Sequence, residues 1–375
     1  MDSLHRSIAW GPGLPGNPSE ELSRGLTGLV YGSVRGATRL VGEGLDAVLA
    51  QLVPTLGPRG SSPEREGVLA ALNGVLGDHL AKTENPLAIQ ASLRHAGRPL
   101  VLERSALGSV AGSGGRVALF VHGLCMNDLE WNRGGHDHSA LLARDLGFVP
   151  LHLHYNSGLH TSVNGRAFAG LLEALAQAWP VPLEELVLVG HSMGGLLARS
   201  ACHYGESAGH RWPKALRALV TLGTPHHGTP LERIGNWIGL VLGATPYAVH
   251  FGRLARIRSA GITDLRYGNL VDEDWEGRDR FARGIDSRHA VPVPEGVPLL
   301  AIAAMTAKQE GGAACRLLGD GLVPLDSALG RHRKADRDLG LPPSRQWVTY
   351  GTAHLDLLGS PEVYERLRSW LAGGI

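Results

Sequence analysis

The sequence predicts an α/β fold. A mostly parallel central sheet should carry helices on both faces, with a helical extension before it and a helical cap inserted into it. Three observations carry this. From residue 116 onward, short apolar runs rich in β-branched residues alternate with helical patterns, as in a sheet buried on both faces. Before residue 85 the periodicity is helical only. Finally, about seventy residues separate two successive strand patterns, far more than a connecting loop needs.

The elements follow in order. Residues 19–53 predict one or two amphipathic helices, with Leu26, Val30, Val34, Ala37, Val41, Leu45, Val48 and Leu52 near a 3.6-residue period. "LGPRGSSPE" breaks the pattern, and residues 64–82 predict another helix. Residues 1–85 are thus expected to form the N-terminal helical extension, and 86–375 the sheet domain. "LAIQASLRHAGRPLVLER" predicts an antiparallel edge hairpin turning at "HAGR". Strands are expected at 116–123, 148–156, 185–190, 218–225, 297–305 and 346–351, with helices at 137–145, 164–178, 193–204 and 361–372. The insertion, about 229–295, opens with the amphipathic "LERIGNWIGLVLG" and predicts an apolar cap over the sheet's carboxyl edge.

Composition excludes several classes of function. Net charge is +1 over 375 residues, so no strong field invites nucleic acid or an anionic membrane. Three cysteines form no disulfide framework. The N-terminus lacks the apolar core of a signal peptide, and no run of 18 apolar residues occurs. The expected location is therefore the cytoplasm.

Gly-x-Ser-x-Gly occurs twice, as "GHSMG" around Ser192 and "GESAG" around Ser207. With 52 glycines, about 0.4 matches would arise by chance, so the string alone decides nothing. Context separates the two. Ser192 follows the buried-strand pattern "LEELVLV" and precedes a helix, as a nucleophile elbow requires. Ser207 follows the end of that same helix, where Gly205 reads as the terminal glycine. Ser192 then needs a histidine to take its proton and a carboxylate to orient that histidine, in the order Ser, acid, His. Asp320 in "LLGDGLVP" follows the strand after the insertion, and His354 in "TAHLDLL" follows the last strand. Asp326 and Asp356 are the rival acids. Asp264, Asp272 and Asp274 fall in the insertion and are expected to hold its structure or its hinge. The N–H of Met193 and that of Leu124, after "FVHG", are the expected oxyanion donors. Cys125 reads as a small buried residue. His122, Trp237 and Ile238 are the candidate substrate contacts. His136-x-His138 and His226-His227 could ligate a metal, but their spacing commits neither pair, and a solvated loop is the expected setting of the first.

With "FVHGL", "GHSMGG", "TLGTPHHG", "GDGLVP" and "AHLDLL" in this order, residues 86–375 resemble the α/β-hydrolase superfamily, specifically its bacterial lipase and esterase branch. They are also similar to the lipase-like deacylases that act on acylated glycolipid anchors. The resemblance implies the triad Ser192, Asp320 and His354, the oxyanion hole of Leu124 and Met193, and no cofactor. It implies a serine hydrolase of carboxylic esters acting on a small-molecule or lipid ester. An acyltransferase, a thioesterase or a polyester depolymerase would use the same triad. The extension lies outside the resemblance; it is expected to brace the core, with a membrane-surface or dimer contact as the other readings.

Overall fold

The computed structural model describes residues 62–230, 258–279 and 286–373, Ser113 excepted, together with helical residues between 49 and 56. The chain divides after Gly57 into two units. Most of the helical reading of 19–53, Trp237, Ile238 and the opening of the cap lie outside the described residues.

Ten strands are described in the second unit. They are β1 (Ser92–His95), β2 (Arg98–Pro99), β3 (Arg116–Val121), β4 (Asn132–Arg133), β5 (His136–Asp137), β6 (Val149–His154), β7 (Glu185–His191), β8 (Leu216–Leu222), β9 (Leu299–Met305) and β10 (Gln346–Tyr350). Eight form one sheet in the order β10-β9-β8-β7-β3-β6-β1-β2. The six from β10 to β6 run parallel, and β1 and β2 close one edge antiparallel. This is the expected α/β-hydrolase arrangement. The edge hairpin turns through Ala96 and Gly97, both at positive φ (49° and 73°), which matches the twist of its strands. All seven residues of β9 are buried, as are Val117–Val121 of β3. Side chains alternate across a strand, so unbroken burial means that both faces are covered.

The covering helices come from the predicted patterns. Helices α1 (Pro63–Lys82), α2 (Arg104–Ala111), α3 (His138–Leu146), α4 (Thr161–Ala178) and α5 (Met193–Ser207) are followed by the short α6 (Ala260–Asp264), α7 (Ala313–Leu318) and α8 (Leu325–Ala328), then α9 (Pro361–Ala372). Helix α5 packs on β3, β7 and β8 with α4 beside it, while α3 packs on β3 and β6 with α9. Ser62 caps α1, accepting the N–H of Arg65, with Pro63 at the first helical position.

Helix α1, grouped by its periodicity with the extension, belongs to the second unit. Its residues 66–77 are all buried. A Cβ on Gly74 would lie 2.8 Å from the Cα of Cys125, and one on Gly77 would overlap the side chain of Asn156. These two glycines let the helix backbone approach the loops after β3 and β6. Ser259 Oγ donates to the Gly74 carbonyl (2.7 Å), and Asp78 accepts the N–H of Ala260 (3.1 Å).

Two local expectations change. The terminal glycine of α5 is Gly209 (φ 65°), not Gly205. Gly205 is still helical and lies under Trp212, whose ring a Cβ would approach to 2.6 Å. His138 is not on a solvated loop. It opens α3 fully buried, its Nε2 on the carbonyl of Leu357 (2.9 Å) and its Nδ1 on His136 (3.0 Å).

Candidate active site

The central strand β7 ends at His191, and α5 starts at Met193, so the whole reversal falls on Ser192. Its backbone sits at φ 55°, ψ −124°, a conformation that costs a non-glycine residue of the order of 1–3 kcal/mol. Close packing explains the glycines around it. A Cβ on Gly190 would lie 2.5 Å from the Cα of Gly195, and one on Gly194 would overlap the carbonyl of Val121. The Ser192 N–H is held by the carbonyl of Leu222 on β8 (2.9 Å). The residue is 1% exposed, and its hydroxyl has no hydrogen-bond partner among the described residues. That leaves Oγ available for an incoming group, against the rule that buried hydroxyls are satisfied.

Asp320 and His354 meet as the order of segments predicts. His354 Nδ1 donates to Asp320 Oδ2 at 2.7 Å, with both residues buried. The other carboxylate oxygen accepts the N–H groups of Leu322 (2.9 Å) and Val323 (2.8 Å), and the His354 N–H donates to the Asp320 carbonyl (3.1 Å). The "GDGLVP" loop therefore fixes the carboxylate from both sides. With its proton on Nδ1, the imidazole has its lone pair on Nε2. The rivals go elsewhere: Asp326 pairs with Arg316, and exposed Asp356 caps its own turn at the N–H of Ala353.

Two residues outside the sequence-derived set lie against His354. Gly223 (φ 59°) follows β8, and a Cβ there would come within 3.1 Å of His354 Nδ1 and 3.2 Å of Asp320 Oδ2. His191 stacks against His354 with ring centroids 4.8 Å apart and reaches its carbonyl through Nε2 (3.2 Å). The strand-end glycine in "TLGTP" was a usable signal for the first; nothing local marks the second.

On the oxyanion side, Gly123 approaches the elbow so closely that a Cβ would lie 3.1 Å from that of Ser192. Leu124 follows it, fully buried. Met193 is the first residue of α5, so its N–H has no partner within the helix. Cys125 sits at φ 59° and gives its N–H to Ser157 Oγ (3.0 Å). Burial pushes its thiol up, away from thiolate chemistry. His122 is buried, stacked on Tyr155 at 4.3 Å, with Nδ1 against the Gly123 carbonyl (2.9 Å). Burial lowers its pKa to about 3, so the ring is neutral.

A buried charge cluster braces this loop. Arg94 Nη1 donates to Glu66 on α1 (3.0 Å) and to Asp128 (2.9 Å), while His154 Nδ1 lies 3.3 Å from the same Asp128 oxygen. Burial alone would raise the Asp128 carboxyl, but His154 and Arg94 outweigh it and hold it at about 2. In the cap, Asp264 accepts from Thr161 N–H (2.7 Å), and Asp274 from Leu270 N–H (2.9 Å) and His289 N–H (2.7 Å). Asp272 pairs with Arg166. All three hold structure, as expected. Among the described residues, no group of three or more His, Cys, Asp or Glu is placed to hold a metal ion. Nor is any described helix long and apolar enough to cross a membrane.

Residues 167–288, from α4 through the elbow into the cap, match the family model of a PGAP1-like alpha/beta domain. No curated protein matches the chain. Among solved structures it is similar to the mature lipase BlEst2 of Bacillus licheniformis, at 20% identity and a TM-score of 0.44 over 68% of this chain and 91% of that one. It is also similar to an esterase of Pyrobaculum calidifontis, at 13% identity and a TM-score of 0.43 over 89% and 97% of the two chains. An esterase of Thermogutta terrifontis matches at 16% identity and 0.41 over 77% and 95%. The sheet order and the strand–Ser192–helix elbow are those of an α/β-hydrolase fold, and residues 167–288 of it are the PGAP1-like segment.

Proposed function

We propose that this chain is a serine hydrolase of carboxylic esters, acting through Ser192, His354 and Asp320. The observation that carries it is the buried 2.7 Å bond from His354 to Asp320, beside a buried Ser192 on a strained strand-to-helix turn. His354 Nε2 takes the Ser192 proton as Oγ attacks the ester carbonyl carbon. The N–H groups of Leu124 and Met193 hold the resulting oxyanion. His354 then passes that proton to the leaving alcohol as the acyl–oxygen bond breaks. Water, deprotonated by the same nitrogen, releases the acid from the acyl-enzyme. Asp320 keeps the proton on Nδ1 and stabilises the imidazolium. His122 braces the oxyanion loop from behind. Trp237 and Ile238 are the proposed contacts for an apolar acyl chain.

The test is hydrolysis of p-nitrophenyl esters across acyl lengths, with labelling by a fluorophosphonate probe, for the parent chain and Ser192→Ala. Turnover and labelling should both vanish in the variant. Full activity in Ser192→Ala, or a parent chain inert to the probe, would overturn the reading. The chain length giving the fastest rate separates esterase from lipase.

A further inference from the structure

Seven residues beyond the nucleophile, about 10 Å along the axis of α5, a second buried group has no role in ester hydrolysis. Arg199 is 4% exposed. Its Nη1 faces His226 Nδ1 (3.3 Å), its Nη2 donates to the carbonyl of Val291, and its Nε has no partner. No carboxylate pairs with it among the described residues. Arg288 lies near by. It donates to the carbonyls of His226 (2.8 Å) and Tyr267 and faces His227 Nδ1 (3.0 Å), and it shares its ion-pair partner, Asp286, with Arg337.

The histidines do not relieve this charge; they pass it on. Each presents its Nδ1 to an arginine donor, so each must accept there and stay neutral. His226 then carries its proton on Nε2, which meets Thr221 Oγ1 of β8 (3.2 Å). Burial first, then Arg199, His227 and Arg288, keep it unprotonated. Asp286 and, at longer range, Asp274 offset part of the charge of Arg288, but no acid among the described residues pairs with Arg199. Guanidinium cannot shed its proton to escape, and a buried cation without a counter-charge is strongly disfavoured.

These groups line one cavity of about 260 Å³ between α5, the 226–227 turn and residues 288–293. Its rim carries Asp336 and Asp338, both exposed; Asp338 accepts the N–H groups of His332 and Gly340. We propose that this cavity is an oxoanion site, taking a phosphate or carboxylate group against Arg199 and Arg288. At roughly 30 Å³ per water, its volume exceeds a bare phosphate and admits one carrying several more atoms. The anion would supply the charge that Arg199 lacks.

Binding is read without turnover, on the Ser192→Ala chain, by calorimetric and thermal-shift titration with inorganic phosphate at constant ionic strength set by chloride. Saturable one-to-one binding and a rise in melting temperature are expected. Arg199→Met should weaken the binding at least about tenfold. Should that variant fail to fold, Val293→Glu, at a half-buried wall position, places a carboxylate in the cavity. It should abolish phosphate binding while keeping the fold. No saturable binding, or equal binding in parent and Val293→Glu, overturns the site. Two sources of the anion are then separated by kinetics, which rest on the proposed hydrolase activity. If the substrate carries it, Arg199→Met raises KM for a phosphate-bearing ester and leaves a neutral ester of the same acyl chain unchanged. If it is a free effector, inorganic phosphate alters turnover of the neutral ester in the parent and not in the variant.

Discussion

Ser192 and Ser207 bound the same helix, and each lies between glycines two residues away on either side. Their surroundings have little else in common. At the first end, a buried strand delivers the chain into a turn with φ 55°, and the loop after β3 packs against it at Gly123. At the second, the helix simply ends: Ser207 is exposed, and Gly209 reverses the chain in a left-handed conformation. The glycines differ in kind too. Gly190, Gly194 and Gly195 are small because other backbone and side chains occupy the space a Cβ would need. Gly209 has open space around it and is needed only for its φ of 65°. Crowding thus explains both glycines around Ser192, whereas around Ser207 it explains Gly205, under the Trp212 ring, and a torsion angle explains Gly209.

Substitutions at the two ends would break this contrast if it were false. The largest difference is expected in rate. Ser192→Ala should lower kcat/KM for ester substrates at least about a thousandfold, whereas Ser207→Ala should stay within about twofold of the parent. Equal effects on p-nitrophenyl ester hydrolysis would remove the distinction. Next come the glycines, compared by denaturant titration. Gly194→Ala should cost about 2–3 kcal/mol, because its methyl group meets the backbone of β3 rather than a side chain that can turn. Gly209→Ala should cost about 1 kcal/mol, the torsional penalty alone.

A smaller effect should appear with pH, at the loop facing the elbow. Asp128 has a folded-state pKa of about 2 against the usual 3.8. Its ion pairing therefore stabilises the fold fully above about pH 4, and the contribution is lost as pH falls from there through about 2. Roughly 2 kcal/mol of acid-labile stability is at stake. Melting curves between pH 5 and 2 should show a shallower acid loss in Asp128→Asn than in the parent. The same slope in both would mean that the cluster with Arg94 and His154 does not matter to stability.

Much of this was legible in the sequence, for local reasons. Buried parallel strands such as "VPLLAIAAM" are apolar without interruption, and the elbow imposes a strand, a turn and a helix within fifteen residues. Once Ser192 was fixed, topology dictated where Asp320 and His354 had to follow. What stayed hidden depends on distant partners. Glu66, Arg94, Asp128 and His154 look like ordinary surface charges in the sequence, yet they meet in the interior. Arg199 reads as one more helical arginine until His226, Arg288 and Val291 gather around it from 27 to 92 residues away. Helix α1 was placed with the extension because periodicity reveals a helix but not what it packs against. Gly205 shows the opposite error: a glycine near a helix end suggests a terminator, and only the Trp212 ring explains it.

Helix α1 also sets a timetable for folding. Its Gly74 carbonyl awaits the hydroxyl of Ser259, 185 residues later in the chain, and its glycine face awaits Cys125 and Asn156. At ribosomal speeds of about 5–20 residues per second, the helix emerges roughly ten to forty seconds before its last partner. Throughout that interval its apolar residues, Val68, Leu69, Leu72, Val75, Leu76 and Leu80, are without their native cover. The nascent chain thus presents a sticky helix early and buries it late, which makes α1 the segment from which chaperone dependence and aggregation during synthesis should arise.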